Sequence, residues 1–479
     1  MKTPTHKLSL LLAAFGVLAA VCWPAGRALG AEEGPVRIVL HPAPEPCPAL
    51  KHQLLPTLYE RRPGNAIVFY GRVKAEQTAF FNSEEIWKNV YRALEAPLEE
   101  LRDMEHVLRN QEGSIFRNLE RGGQCEDADW QYPAQEERFN TLLPDAQQQR
   151  QFARLLVADA RARIARGEYG GALRTLKVGY AMGRHTADAP FIVMGLIGVA
   201  ITDMMNDCLL ELIQQPGTPN LYWSLTYLPE PFLDTRPLFE GEMLAFGYAF
   251  PMLKSADYTI SDPAYWRRQL EAIGELHAEY SDEYSEMGPE EQARFRRKIL
   301  LRLLRGYPLA KRALVEQGMA PEQVEAMAVG QVVLLHTTRQ FDELRDELLK
   351  CALLPYWQAE PYLNELEERL RRAHKRWEEP LPLCDRYFPA VHAAKTAFAR
   401  LDRRIALLRL FEALRLHAAS HDGRLPERLD DLAVPVPVDP ITGKPFVYRV
   451  EGDVAHVNGP PLPGRPCRYE IRLTTEEAS

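Results

Sequence analysis

Positive charge is in short supply in this chain. Lys and Arg total 58 against 66 Asp and Glu, a formal net charge of −8. Phosphate binding needs concentrated Lys and Arg, so nucleic acid is not an expected partner. The same balance gives no general attraction to an anionic membrane surface. Catalytic signatures are missing too. No H-E-x-x-H, G-x-S-x-G, P-loop or G-x-G-x-x-G string occurs, which removes support for zinc proteases, serine hydrolases, nucleotide enzymes and dinucleotide enzymes. No two of the 7 cysteines form C-x-x-C, so neither a zinc ribbon nor a thioredoxin-type site is indicated. No cofactor is expected. What remains is an ordinary globular composition, 46% hydrophobic and 26% charged over 479 residues, enough for two or three domains.

The first 30 residues read as a signal peptide. Lys2, His6 and Lys7 form a basic start, Leu8–Val21 is apolar with one Ser, and Ala28-x-Gly30 supplies small residues for cleavage before Ala31. The expected location is therefore exported, periplasmic or envelope-associated; an uncleaved anchor is the alternative. No integral span is expected after cleavage. Cys22 would leave with the signal, and Val21 ill suits the position before a lipidated cysteine. Of the others, Cys208 lies in an apolar helix and reads as a buried free thiol. Cys47, Cys125, Cys384 and Cys467 sit in Pro- or Gly-rich contexts that suit disulfides, and Cys351 completes the set. Six thiols allow fifteen pairings, so connectivity stays open.

The chain is organised around Phe152–Ile213. Phe152, Leu155, Leu156, Ala160 and Ile164 recur at helical spacing, predicting a helix over Phe152–Arg166. Gly167 and Gly170 make a turn, and Gly171–Gly183 gives the facing helix. Ala172, Gly179 and Gly183 would let the two backbones approach. The string Gly167-x-Tyr169-x-x-Ala172-Leu173 resembles the centre of a tetratricopeptide repeat. Arg163 stands where that repeat usually has an aromatic, and no second copy follows at thirty-four residues. Phe191–Ile213 comes next, with Pro190 read as a first-turn residue. Its apolar run is cut by Asp203, Asn206, Asp207 and Glu211, so a helix buried in a helical array is expected rather than a membrane span. Thr218-Pro219 reads as the cap and start of a shorter helix through Leu228.

Around this segment the pattern is helical from about Pro46 to His417. Helices are expected over Glu84–Arg109, Leu238–Phe250, Pro263–Tyr284, Glu290–Leu304, Pro321–Leu335, Phe341–Leu354 and Leu363–Trp377, with Asn65 capping a helix from Ala66. Pro229-Glu230-Pro231 and Leu381–Pro389 read as joints. Val36–Leu40 is a short β-type run. The tail differs: a helix over Arg403–Ser420, a tight turn at Asp439-Pro440-Ile441-Thr442-Gly443, then strand-like Phe446–Val450, Val454–Val457 and Tyr469–Leu473. The fold class expected is mainly α, a multi-helix array that the hairpin would make solenoid-like, followed by a small α+β module. The domains are 1–30 signal, 31–400 helical body and 401–479 tail.

From Arg403 to Asn458 the tail resembles the C-terminal half of the major pseudopilins of type II secretion. The likeness rests on the helix, Asp422-Gly423-x-Leu425-Pro426, Leu429, Leu432, and Asp439-Pro440-x-x-Gly443-x-Pro445-Phe446-x-Tyr448. It implies a fold and no activity. The chain departs from the family by an extra residue between Pro440 and Gly443, by lacking an acidic cluster near its end for the family's calcium site, and by a large helical body in place of the amino-terminal membrane helix. The whole arrangement is similar to exported bacterial helical proteins.

Two constellations are candidates for chemistry. Asp203 and Asp207, four apart in apolar surroundings, could serve as acid and base; the plainer reading has them facing Arg or solvent. His417 and His421, four apart on a helix, could ligate a metal with Asp422 as third ligand; the plainer reading is a helix end where His421 meets terminal carbonyls. His185 is expected as a cation at a helix C-terminus. The acidic run Glu275–Glu291 reads as a solvated face, with Tyr280 and Tyr284 the residues that would mark a binding edge instead. The function that fits is a non-catalytic exported scaffold or binding protein presenting a helical surface to a protein or peptide partner; the alternative is an envelope hydrolase using paired carboxylates.

Overall fold

The computed structural model describes residues 34–102, 112–133, 143, 145–279, 284, 287–376, 384–462 and 467–474. The expected signal peptide, 103–109 and 377 of the expected helices, 280–283 and 285–286 of the acidic run (Tyr280 among them), and 381–383 of the second joint lie outside these. The described residues are mainly helical, with a small strand-containing module at the C-terminal end. The described residues fall into two compact units, one formed by 132–133 and 239–394 and the other by 34–131, 143–238 and 395–474.

In the larger unit, helices α1 (Ala66–Glu76), α2 (Glu84–Glu95) and α3 (Glu112–Gly123) surround α4 (Asp145–Ala165), α5 (Tyr169–Ala187) and α6 (Ile192–Ile213). Asn65 caps α1 through Oδ1, which accepts the Ile67 amide at 3.0 Å. Pro97 stops α2, and a 3₁₀ turn, Leu98–Leu101, follows, so the helix expected from Glu84 is broken within its described part. The hairpin is present, its first helix beginning at Asp145 rather than Phe152. Gly179 and Gly183 do not face α4, as their spacing suggested; they are where α5 meets α6. A Cβ on Gly179 would strike Met205 at 2.1 Å, and one on Gly198 would stand 2.6 Å from the Gly183 carbonyl. Arg163 donates to Asp159 at 2.8 Å, and the Thr175 hydroxyl reaches the same carboxylate at 2.6 Å. A polar link thus occupies the hairpin position expected to be aromatic.

Helix α6 is the one described helix long and apolar enough to cross a membrane, and 78% of its most apolar window is buried inside the protein. Two of its polar side chains bond to neighbouring helices. Asn206 accepts the Tyr180 hydroxyl at 2.7 Å. Glu211 takes two bonds from Arg161, whose remaining donors reach the carbonyls of Ala93 and Ala96 at the end of α2. Pro190 lies just before the N-cap, Phe191, rather than in the first turn.

In the smaller unit, α7 (Arg236–Ala249), α8 (Pro263–Glu279), α9 (Pro289–Arg305), α10 (Tyr307–Glu316) and α11 (Val329–Leu353) precede α12 (Tyr356–Arg376). Trp266 is fully buried and donates to the Ile260 carbonyl at 2.7 Å; Phe246 stacks on Phe341 with centroids 4.4 Å apart. The expected break between Leu335 and Phe341 is absent, and the helix is instead interrupted earlier, between Glu325 and Val329. Helix α13 (Cys384–Ser420) begins inside the expected second joint.

The tail sheet has the order β1-β8-β7-β6, built from β1 (Val36–Leu40), β6 (Val447–Glu451), β7 (Val454–Asn458) and β8 (Arg468–Leu473). Two short pairs lie outside it, β2 (Arg62–Asn65) with β3 (Cys125–Asp127) and β4 (Val438–Asp439) with β5 (Lys444–Pro445). Strand β1 runs parallel to β8, with Ile38 opposite Ile471. Ile38, Leu40, Ala455, Val457, Tyr469 and Ile471 are buried, the alternation expected of a sheet with one covered face. Tyr469 meets Phe411 of α13 edge-on at 5.4 Å. Asp439 works as anticipated in its turn, accepting from the Ile441 amide at 2.9 Å, and it also takes two bonds from buried Arg403.

A second buried polar knot fixes α13 to the loop after α6. Glu412 and Arg415 pair at 2.7 Å with no solvent exposure. Arg415 donates to the carbonyls of His41 and Thr218 and to the Thr218 hydroxyl. Glu412 accepts the Leu221 amide, and its own carbonyl accepts Asn220. Thr218 is therefore a partner of Arg415 rather than a helix cap; the short helix is Tyr222–Thr226.

Candidate functional site

Within the larger unit, β2 lies parallel to β3, pairing Arg62 with Cys125 and Asn65 with Asp127. Gly64, at φ +131°, carries a conformation that side chains disfavour. Asn65 caps α1 and also brackets the loop after β3. Its amide nitrogen donates to the Asp129 carbonyl at 2.7 Å, while Oδ1 accepts the Asp129 amide at 3.1 Å. The Asp129 carboxylate in turn accepts the Gln131 amide. This pinned loop and Asp188, the C-cap of α5, form an open cleft of about 560 Å³. Glu126, Asp127, Asp129 and Asp188 line it, and no Lys, Arg or His does.

Asp188 keeps a face to solvent at the cleft. Burial of its carboxyl against the protein pushes the pKa up to about 6, with Arg184 opposing and Asp127 and Asp234 adding to the rise. Beneath it the structure is tightly bonded. The Tyr70 hydroxyl meets His185 Nδ1 at 2.9 Å, His185 Nε2 meets the Cys125 carbonyl at 3.1 Å, and Trp130 donates to the His185 carbonyl at 2.8 Å. The carbonyl can only accept, so Nε2 carries the proton and Nδ1 accepts from Tyr70. His185 is thus not the helix-end cation expected. Burial drives its pKa down to about 4, and Arg184 adds to the fall. Burial likewise raises the Tyr70 hydroxyl well above its ordinary range. A neutral, hydrogen-bonded floor thus lies under an acidic mouth.

The residues singled out from the sequence lie elsewhere. Asp203 and Asp207 are half-buried on α6, and Asp207 pairs with Arg404 of α13 at 2.9 Å, whose other nitrogen donates to Tyr469. This is the structural use of the carboxylate rather than an acid–base pair. His421 turns Nδ1–H back to the His417 carbonyl at 2.8 Å, and the two rings stack in parallel, 3.8 Å between centroids. Chelation would need their nitrogens to converge instead. Asp422 occupies the left-handed turn beyond the helix, at φ +52°. Among the described residues no group of three or more His, Cys, Asp or Glu side chains is arranged to hold a metal ion. Tyr284 packs on Phe295 and accepts from Arg296. Cys47, Cys125, Cys208 and Cys467 are free thiols. That corrects the disulfide expectation for Cys47, Cys125 and Cys467, since loop-like composition does not bring two sulfurs within bonding reach. Cys208 is the buried thiol anticipated.

The cleft itself was missed by the sequence reading, although Glu126-Asp127-x-Asp129 places three acids in four residues. Asp188 gave no local signal. In comparison with known proteins, no protein-family model, no curated protein and no solved structure matches the chain.

Proposed function

We propose that this is an exported, non-catalytic binding protein of the cell envelope that holds a cationic segment of a protein or peptide partner in the cleft at the end of α5. One observation carries the reading: four carboxylates line the cleft with no cation among the lining residues. An incoming Lys or Arg would find counter-charge there and draw the Asp188 carboxyl back toward ionisation. The tail, with its pseudopilin-like pattern, would serve as a second contact module. Titration with a lysine-rich peptide and with its glutamine-substituted counterpart tests this. Binding of the lysine peptide should fall about tenfold in Asp127→Asn/Asp188→Asn. It should also be weaker at pH 5 than at pH 7.5, because Asp188 gains its proton on the way down. Equal binding of the two peptides would sink the idea. A second reading has one observation in its favour, a raised carboxyl beside other carboxylates, which suits acid–base hydrolysis. Turnover of cell-wall or peptide substrates, abolished by Asp188→Asn, would replace the binding reading with it.

A further inference from the structure

The net charge of −8 conceals one strongly basic surface. Helix α9 (Pro289–Arg305) carries Arg294, Arg296, Arg297, Lys298, Arg302 and Arg305 against two acids, Glu290 and Glu291, both in its first turn. Its inner face is apolar: Ile299 and Leu303 are buried in the core around Trp266. The opposite face is a single helical stripe. Arg294, Arg297, Lys298, Leu301, Leu304 and Arg305 are all exposed, and they recur at three- and four-residue steps. Leu301 is 51% exposed and Leu304 36%. Arg294, Arg297, Lys298 and Arg305 have no ion-pair partner among the described residues. The stripe runs for roughly 16 Å along the helix axis.

This combination is chemically particular. A solvated helix face needs no bare leucines amid its cations. Nucleic acid phosphates would reward the arginines and leave the two leucines in water. An anionic lipid surface takes both kinds of group at once: leucines sink to the acyl boundary, while long Arg and Lys side chains reach up to the headgroup phosphates. We infer that the exposed face of α9 docks flat on an anionic lipid surface, and that this contact is independent of the acidic cleft. The docking is peripheral, one amphipathic helix already anchored by its inner face.

Flotation of the full chain with phosphatidylcholine vesicles and with vesicles containing about one third phosphatidylglycerol tests the inference. The apolar Leu8–Val21 segment is common to every variant, so the decisive readout is the difference between variants on anionic vesicles. The wild type should bind anionic vesicles and lose that binding as salt rises. Arg297→Gln with Lys298→Gln should weaken it roughly thirtyfold, and Leu301→Ser with Leu304→Ser about tenfold. Circular dichroism should show both variants folded, as expected for exposed positions. Two results would overturn the inference: no preference for anionic over neutral vesicles, or undiminished anionic binding by the Arg297→Gln/Lys298→Gln variant. Binding of soluble polyglutamate as tightly as the vesicles, unaffected by the leucine changes, would assign the face to an acidic protein and also overturn it.

Discussion

Replacing Arg415 by methionine should loosen the larger unit, to which residues 395–420 of α13 belong, more effectively than any surface change. The substitution keeps most of the side chain's apolar bulk and removes the guanidinium. Glu412, fully buried, then has no counter-charge, and breaking a buried pair by deleting one partner costs about 3–5 kcal/mol. The carbonyls of His41 and Thr218 also lose their donor, at about 1–3 kcal/mol for each group left unsatisfied. The loss should depend on pH. Burial already raises the Glu412 pKa above its ordinary 4.5, and Arg415 pulls it down; without Arg415 it rises further. A carboxyl whose folded pKa is raised favours the folded state at low pH and loses that contribution as pH climbs from 4.5 through the folded value. The variant's deficit relative to wild type should therefore be larger at pH 8 than at pH 5. Adding Glu412→Leu should restore the electrostatic part but not the stranded carbonyls, leaving the double variant between the two. Urea unfolding followed by circular dichroism at the two pH values measures all of this. A deficit under about 1 kcal/mol, or one that does not change with pH, would refute the reasoning.

Two further perturbations follow from packing. Gly198→Ala should destabilise more than Gly179→Ala, because its Cβ meets the Gly183 carbonyl on the backbone, whereas at 179 it meets the flexible Met205 side chain; thermal melts should separate the two within the roughly 1–3 kcal/mol range of overpacking. His336 is buried with neither ring nitrogen hydrogen-bonded, and burial, then Arg339, lower its pKa from 6.5. The unfolded chain therefore takes the proton first, and stability drains as pH falls below 6.5. His336→Leu should stabilise by about 1–2 kcal/mol at pH 7 and by more at pH 5 in urea titrations.

What the sequence revealed was whatever repeats at short range. Phe152 to Ile164 marks its helix because 3.6-residue spacing is local, and Asp439 announces its turn because its acceptor works two residues on. The same spacing shows that Gly179 and Gly183 lie on one helix face but not which helix that face meets, so α4 was named where α6 belongs. Asp203 and Asp207 looked like a reactive pair because Arg404, which answers Asp207, stands nearly two hundred residues away. The cleft escaped for the same reason. Residues 65, 126–129 and 188 converge only once β2 lies beside β3 and α5 ends nearby. The basic face of α9 was hidden by averaging, since a whole-chain charge says nothing of where the cations gather.

Strand β1 has a consequence for how the molecule comes into being. Residues 36–40 leave the ribosome more than four hundred positions before 468–473, the segment they lie against. The first described strand must wait, with the edge that β8 will cover still bare, until β8 has been made. A polypeptide cut short before Arg468 would keep that edge open to strangers, so premature termination should yield sticky chains rather than merely shortened ones.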